Sequence, residues 1–148
     1  MLPVLLLDEA VGQVLEGVIL DLGAGSGAGA AMAALMHPER EVVAVDSRRK
    51  KMEFCRYAAA RCGISNLETR WQRLSSHGQA DLESACGIVM LRAVGALRPT
   101  AEVVRGLLRE SGVVAVWSGR PGHPLPGWKA MVSVPWEHGV VTGYRPQQ

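Results

Sequence analysis

The sequence predicts a three-layer α/β fold built on a mostly parallel sheet, and three observations carry that expectation. Short apolar runs recur along the chain, separated by stretches with helical spacing. The first run breaks directly into a glycine-rich turn that opens a helix of small residues. The alternation ends in two apolar stretches with no helix between them, which predicts an antiparallel edge strand near the C-terminus.

Taken in order, residues 4 to 16 read as a short helix leading into a strand at 18–22, Val-Ile-Leu-Asp-Leu. The turn that follows opens an Ala-rich helix over about 27–36. Residues 41–46 (EVVAVD) form a second strand ending on an acid. Ser47 is placed to cap the next helix, whose inner face is read as Met52, Phe54, Cys55, Ala58 and Ala59, with Gly63 ending it. Residues 66–70 alternate as a third strand, and 87–91 (GIVML) form a fourth. A helix over 100–109 puts Ala101, Val104 and Leu108 on one face and stops at Ser111-Gly112, where a fifth strand, 112–117, begins. Pro121, Pro124 and Pro126, with Gly122 and Gly127, leave no room for a helix in 120–127. Stretches 128–134 and 139–144 then pair to close the sheet. Strands joined by helices of this length imply right-handed βαβ crossovers.

A chain of 148 residues, 48% hydrophobic and 20% charged, suits one domain with an ordinary core. We read residues 1–148 as that single domain. A formal charge of +2 permits a nucleic-acid partner without arguing for one. Cys55, Cys62 and Cys86 make no CxxC pair and read as reduced thiols, best placed as small buried apolar residues in a cytoplasmic protein. The N-terminal MLPVLLLDEA lacks a basic leader and is too short a run to span a membrane, so neither a signal peptide nor a membrane partner is expected. His37, His77, His123 and His138 are dispersed, without metal-ligand spacing.

The turn after the first strand carries the chemistry. Gly23, Gly25 and Gly27 allow a tight bend and a close approach to a ligand, and Ala28 opens a helix whose first amides are free donors. Gly23, Gly25 and Ala28 match a dinucleotide fingerprint only loosely. Asp21, on the strand just before the turn, suits the cationic amino group of S-adenosylmethionine, and a buried carboxylate without such a use is costly. Asp46 ends the second strand, where an acid accepts hydrogen bonds from ribose hydroxyls in either cofactor class. The length favours S-adenosylmethionine, because the strands and helices fill the chain and leave no separate substrate domain.

DLGAGSG followed by VAVDS, a basic pair and an apolar-aromatic helix (RRKKMEFCRYAA) resembles class I S-adenosylmethionine-dependent methyltransferases. More narrowly, Asp46-Ser47 with Lys50-Lys51, the NLETRWQR segment and Leu91-Arg92-Ala93-Val94 resemble the glucose-inhibited division protein B family, which methylates guanine N7 in small-subunit ribosomal RNA. The likeness covers about residues 18–117. It implies a Rossmann-like methyltransferase fold, S-adenosyl-L-methionine as cofactor and ribosomal RNA or the small ribosomal subunit as partner. It also implies that Gly23, Ala24, Gly25, Gly27 and Ala28 line the methionine and ribose end and that Asp46 and Ser47 hold the ribose. Gln72-Arg73-Leu74-Ser75 then frames the adenine, with Arg73 matching the family and Leu74 and Ser75 departing from it. Arg92 matches an arginine beside the cofactor, and we read it as holding the cofactor carboxylate or a phosphate. Ala28-Gly29-Ala30 stands where the family has Phe-Pro-Gly, and Trp117-Ser118 where it has a lysine.

Methylation of N7 removes no proton, so a site without a general base is compatible with it. Arg48-Arg49-Lys50-Lys51 could touch RNA phosphates, and Trp117, Trp128 or Trp136 could stack a base. Two other functions stay open from sequence: a small-molecule methyltransferase, and a non-catalytic cofactor-binding module acting with a partner chain.

Overall fold

The computed structural model describes residues 15–73, 80–92, 97–119, 125–136 and 139–147, with the side chains of 97–100 excepted. The strands are β1 (Val18–Leu22), β2 (Val42–Asp46), β3 (Leu67–Trp71), β4 (Cys86–Arg92), β5 (Leu108–Ser118), β6 (Trp128–Trp136) and β7 (Gly139–Pro146). The helices are α1 (Ala28–Met36), α2 (Arg49–Arg61) and α3 (Leu97–Leu107), with one 3₁₀ turn at Ala80–Leu82. All but the last two residues of the helix expected over 4–16 lie outside the described residues.

The sheet runs in the order β3-β2-β1-β4-β5-β7-β6. β1 pairs in parallel with β2 and β4, and β4 with β5. β7 runs antiparallel between β5 and β6, so the reversed strand lies one place in from the edge. The central strands are buried on both faces, which explains why their sequences are apolar runs rather than alternations. Successive residues of β1 still serve opposite layers. Ile19 joins Val42, Ile88 and Val113 beneath Ala30, Ala33, Met52 and Cys55 of α1 and α2. Leu20 joins Val43, Val89 and Val114 beneath Val104 and Leu107 of α3.

Four local expectations are corrected. Phe54 is 59% exposed rather than on the inner face of α2. Met52, Cys55 and Ala59 make a stripe at spacings of three and four, and Phe54 sits about 100° round the helix from Cys55. Ser47 does not cap α2. Asp46 accepts the Arg48 amide at 2.9 Å in an Asx turn, which makes Arg48 the cap residue and starts the helix one position later. α3 ends at Leu107, and β5 starts at Leu108 rather than 112. Between the pairs Cys86↔Leu108 and Ile88↔Val113, β5 advances five steps while β4 advances two, so the extra residues of 109–112 bulge. Cys55 and Cys86 are buried, whereas Cys62 is exposed.

The order of the sheet reverses between β1 and β4. In open α/β sheets the crevice outside the carboxyl ends of such strands is where ligands bind. The glycine turn after β1, Asp46 at the end of β2 and Arg92 at the end of β4 all lie on this edge.

Candidate cofactor crevice

The glycine turn is tied to the end of β2. The amides of Gly23 and Ala24 both donate to the Val45 carbonyl, at 2.9 and 3.1 Å. The Gly25 amide donates to Oδ2 of Asp46 at 2.8 Å. Gly23, Gly25 and Gly27 hold φ of 70°, 61° and 81°, values that side chains rarely adopt. The three glycines then differ in purpose. A Cβ at Gly23 or Gly25 would meet nothing, so open space stands over this part of the turn. A Cβ at Gly27 would overlap the Cys55 thiol, so Gly27 lets the turn pack onto α2. Ala24 is buried and Ala28 exposed at the first position of α1.

Asp46 is 4% exposed and takes more bonds than a ribose alone would ask of it. Its Oδ1 accepts the Arg48 amide at 2.9 Å and Arg48 Nε at 3.2 Å, and its Oδ2 accepts Arg48 Nη2 at 3.4 Å. Burial alone would raise the carboxyl, but the Arg48 side chain and the Arg48 and Gly25 amides outweigh it and hold Asp46 below the usual carboxylate range. The two amide bonds are short and fixed by backbone. The guanidinium bonds are longer, and the Arg48 side chain is 60% exposed, so it is the displaceable partner.

Asp21, whose carboxylate the sequence sets against a cofactor ammonium, is anchored within the fold. The side chain has no exposed surface, and its Oδ2 accepts Nη2 of Arg92 at 2.8 Å. Its Oδ1 is buried without a hydrogen-bond partner. Burial pushes this carboxyl up to about 6, against the opposing pull of the Arg92 guanidinium. Its partner Arg92 is more open, with a side chain 33% exposed. Arg92 Nη2 also donates to the Ala24 carbonyl at 3.2 Å, so one guanidinium joins β4, β1 and the turn. Gly29 makes this possible, since a Cβ there would lie 2.8 Å from Cζ of Arg92.

At the β3 end, the Gln72 amide donates to the Asp46 carbonyl at 3.2 Å, and Arg73 is exposed beside it. Ser47 is exposed, and its carbonyl accepts Nε1 of Trp71 at 3.1 Å. Leu74 and Ser75 lie outside the described residues. Asp21, Asp46, the turn and Arg92 are therefore linked by direct hydrogen bonds, whereas Arg73 joins them only through β3.

Several sequence candidates have other duties. Arg48 is spent on Asp46, and Arg49 pairs with Glu53 at 2.8 Å. Trp128 is 6% exposed in the core, and Trp117 packs partly buried against the other layer. Gly29 and Arg48 were missed as site residues; the signal for Arg48 is an arginine two positions after the strand-ending acid. Among the described residues no three His, Cys, Asp or Glu side chains come together as metal ligands. Among them, too, no helix is long and apolar enough to cross a membrane.

Comparison with known proteins gives both family and fold. A family model described as rRNA small subunit methyltransferase G (GidB) matches residues 4–123. The ribosomal RNA small subunit methyltransferase G of Deinococcus radiodurans is 40% identical over 105 residues, which cover 70% of this chain and 42% of that protein. Its counterpart in Halorhodospira halophila is 31% identical over 103 residues, covering 70% of this chain and 47% of that one. The chain thus spans less than half the length of these relatives. Among solved structures, an RNA methyltransferase from Salinibacter ruber in complex with S-adenosyl-L-homocysteine superposes with a TM-score of 0.75 at 21% identity, covering 99% of this chain and 92% of that one. A SAM-dependent methyltransferase from Aquifex aeolicus gives 0.73 at 15% identity, covering 96% and 87%. At such identities the two structures speak for a shared Rossmann-like fold.

Proposed function

The chain belongs to the rRNA small subunit methyltransferase G family, and on that premise we propose that it binds S-adenosylmethionine at the carboxyl edge of its sheet and methylates guanine N7 of small-subunit ribosomal RNA. The observation that carries this reading is a glycine turn held between two acids. Asp46 grips the Gly25 amide, Asp21 fixes Arg92 across the turn, and open space stands where Gly23 and Gly25 lack side chains. A carboxylate oxygen without a partner lies buried beside that turn, as a site built around a cationic ligand would favour.

The residues divide the work by chemistry. Gly23, Ala24, Gly25, Gly27 and Ala28 give the backbone surface against which the amino-acid and ribose portions pack. Arg92, held by Asp21, offers its guanidinium to the cofactor carboxylate. Asp46 and Ser47 take the ribose, with the Arg48 side chain giving up its two long bonds. Arg73, Leu74 and Ser75 border the adenine. The bound cofactor supplies a methyl group on an electrophilic sulfonium. Guanine N7 carries a lone pair and no proton, so these residues need orient and exclude water rather than remove a proton. Orientation of this kind supplies about 7–11 kcal/mol in favourable cases. A ribosomal RNA acceptor places the reaction in the cytoplasm.

Calorimetry tests the cofactor assignment. S-adenosylmethionine is expected to bind and a nicotinamide dinucleotide not to. Tight binding of the dinucleotide alone overturns it.

A further inference from the structure

Helix α2 carries a surface that the cofactor crevice does not use. Lys50, Phe54, Tyr57 and Arg61 stand at spacings of four, three and four, which stacks them in one stripe on the side opposite the buried Met52, Cys55 and Ala59. Phe54 is 59% exposed and Tyr57 is 65% exposed. Along another flank of α2, on the edge strand β3, Trp71 is 59% exposed, with the Arg49 guanidinium over its ring at 5.5 Å. Between α2 and β3 lies a separate slot of about 400 Å³ lined by Arg49, Met52, Glu53, Arg56, Thr69 and Trp71. Two large aromatics facing solvent about one turn apart form an apolar patch of the kind that marks a binding surface.

Charge decides which partner fits. α2 contains five cations and one acid, Glu53, and that acid is already paired with Arg49 at 2.8 Å. Among the described residues no carboxylate pairs with Lys50, Lys51, Arg56 or Arg61. Protein interfaces are depleted of lysine at their centre, whereas surfaces for single-stranded nucleic acid combine exposed aromatics with unneutralised cations.

We propose that the outer face of α2 is an RNA-binding surface, on which bases stack on Phe54 and Tyr57 while Lys50 and Arg61 meet phosphates. It rests on the reading of the chain as an RNA methyltransferase. It keeps Lys50 of the basic run read in the sequence and differs in its aromatics, since the sequence candidates were tryptophans of β5 and β6.

The test is fluorescence anisotropy of the whole chain with a labelled, unmethylated fragment of small-subunit ribosomal RNA containing single-stranded loops, titrated at several salt concentrations. F54A with Y57A is expected to weaken binding about 5- to 150-fold for each base whose stacking is lost, leaving the salt slope unchanged. K50A with R61A is expected to reduce the salt slope by about 1.4, that is about 0.7 for each single-strand phosphate. Tyr57→Phe keeps the ring and is expected to bind like the parent. All these side chains are exposed, so melting temperature and S-adenosylmethionine affinity should stay at parental values. RNA binding by both double variants within twofold of the parent, with methyl transfer intact, overturns the surface and leaves the activity standing. A parent that neither binds nor methylates RNA overturns both.

Discussion

Nη2 of Arg92, at the end of β4, lies 2.8 Å from Oδ2 of Asp21, near the end of β1, and so joins the two strands on either side of the point where the sheet reverses. The bond makes Asp21 an organiser of the crevice. Its carboxyl is fully buried, and its charge is balanced by a group that is itself partly in water.

This pair gives stability a pH dependence. The Asp21 carboxyl rises from an ordinary value of 3.8 to about 6 in the folded protein. A raised acid holds its proton more tightly when folded, so its contribution is fully present below about pH 4 and is lost as pH rises through 6. The shift of about two units corresponds to about 3 kcal/mol. Urea unfolding between pH 4.5 and 7.5 is expected to show that loss, and D21N is expected to flatten it. Asp46, held low, acts in the opposite sense and at lower pH, losing its contribution as pH falls below the ordinary carboxylate value. An unchanged slope in D21N removes Asp21 from this role.

Asp46 and Arg48 separate by their effect on cofactor. D46A is expected to weaken S-adenosylmethionine binding by about 1–3 kcal/mol, through lost charge-assisted bonds to the ribose and a Gly25 amide left without its acceptor. R48A removes a competitor for the same oxygens and is expected to leave affinity unchanged or raise it. Calorimetry on the two variants checks the pair. A loss in R48A as large as in D46A would show that Arg48 holds the ligand itself.

Gly27 and Gly29 have distinct reasons to lack a side chain. G27A forces a left-handed residue to carry a Cβ into the Cys55 thiol, and it is expected to cost about 2–4 kcal/mol of unfolding free energy. G29A presses on the far end of the Arg92 side chain, which can give way. Its expected result is a near-normal melting temperature with weaker cofactor binding. Equal destabilisation by both would contradict this division.

Asn66 carries a structural duty that its place beside a strand conceals. Its Nδ2 lies 2.9–3.0 Å from the carbonyls of Ala34, His37 and Arg40, closing the end of α1 onto the entry to β2. N66A leaves these acceptors without that donor and is expected to cost about 1–3 kcal/mol, read by urea unfolding. A loss below about 0.5 kcal/mol would mean that water replaces the amide.

The strands, the glycine turn and Asp46 were legible because each depends on short-range rules. A buried parallel strand needs an apolar run, a left-handed turn needs glycine, and a strand-ending acid needs no distant partner to be noticed. Arg92 was legible only through family likeness, and its bond to Asp21 spans 71 positions, which no local pattern reports. Phe54 was misplaced because an apolar residue on an amphipathic helix is taken for core until the phase of the buried stripe is known. Arg48 was read as a surface cation because an Asx turn that uses its amide also draws its side chain back onto the acid.

Methyl transfer to guanine N7 is read out by incubating the protein with S-adenosylmethionine labelled in the methyl group and with small ribosomal subunits, or their RNA, from cells lacking this modification. The labelled residue is then mapped by cleavage at N7-methylguanine. The expected result is label at one guanine N7 of the RNA, reduced in D46A at limiting S-adenosylmethionine. Label on small metabolites with none on RNA, or no transfer despite measured cofactor binding, would contradict it.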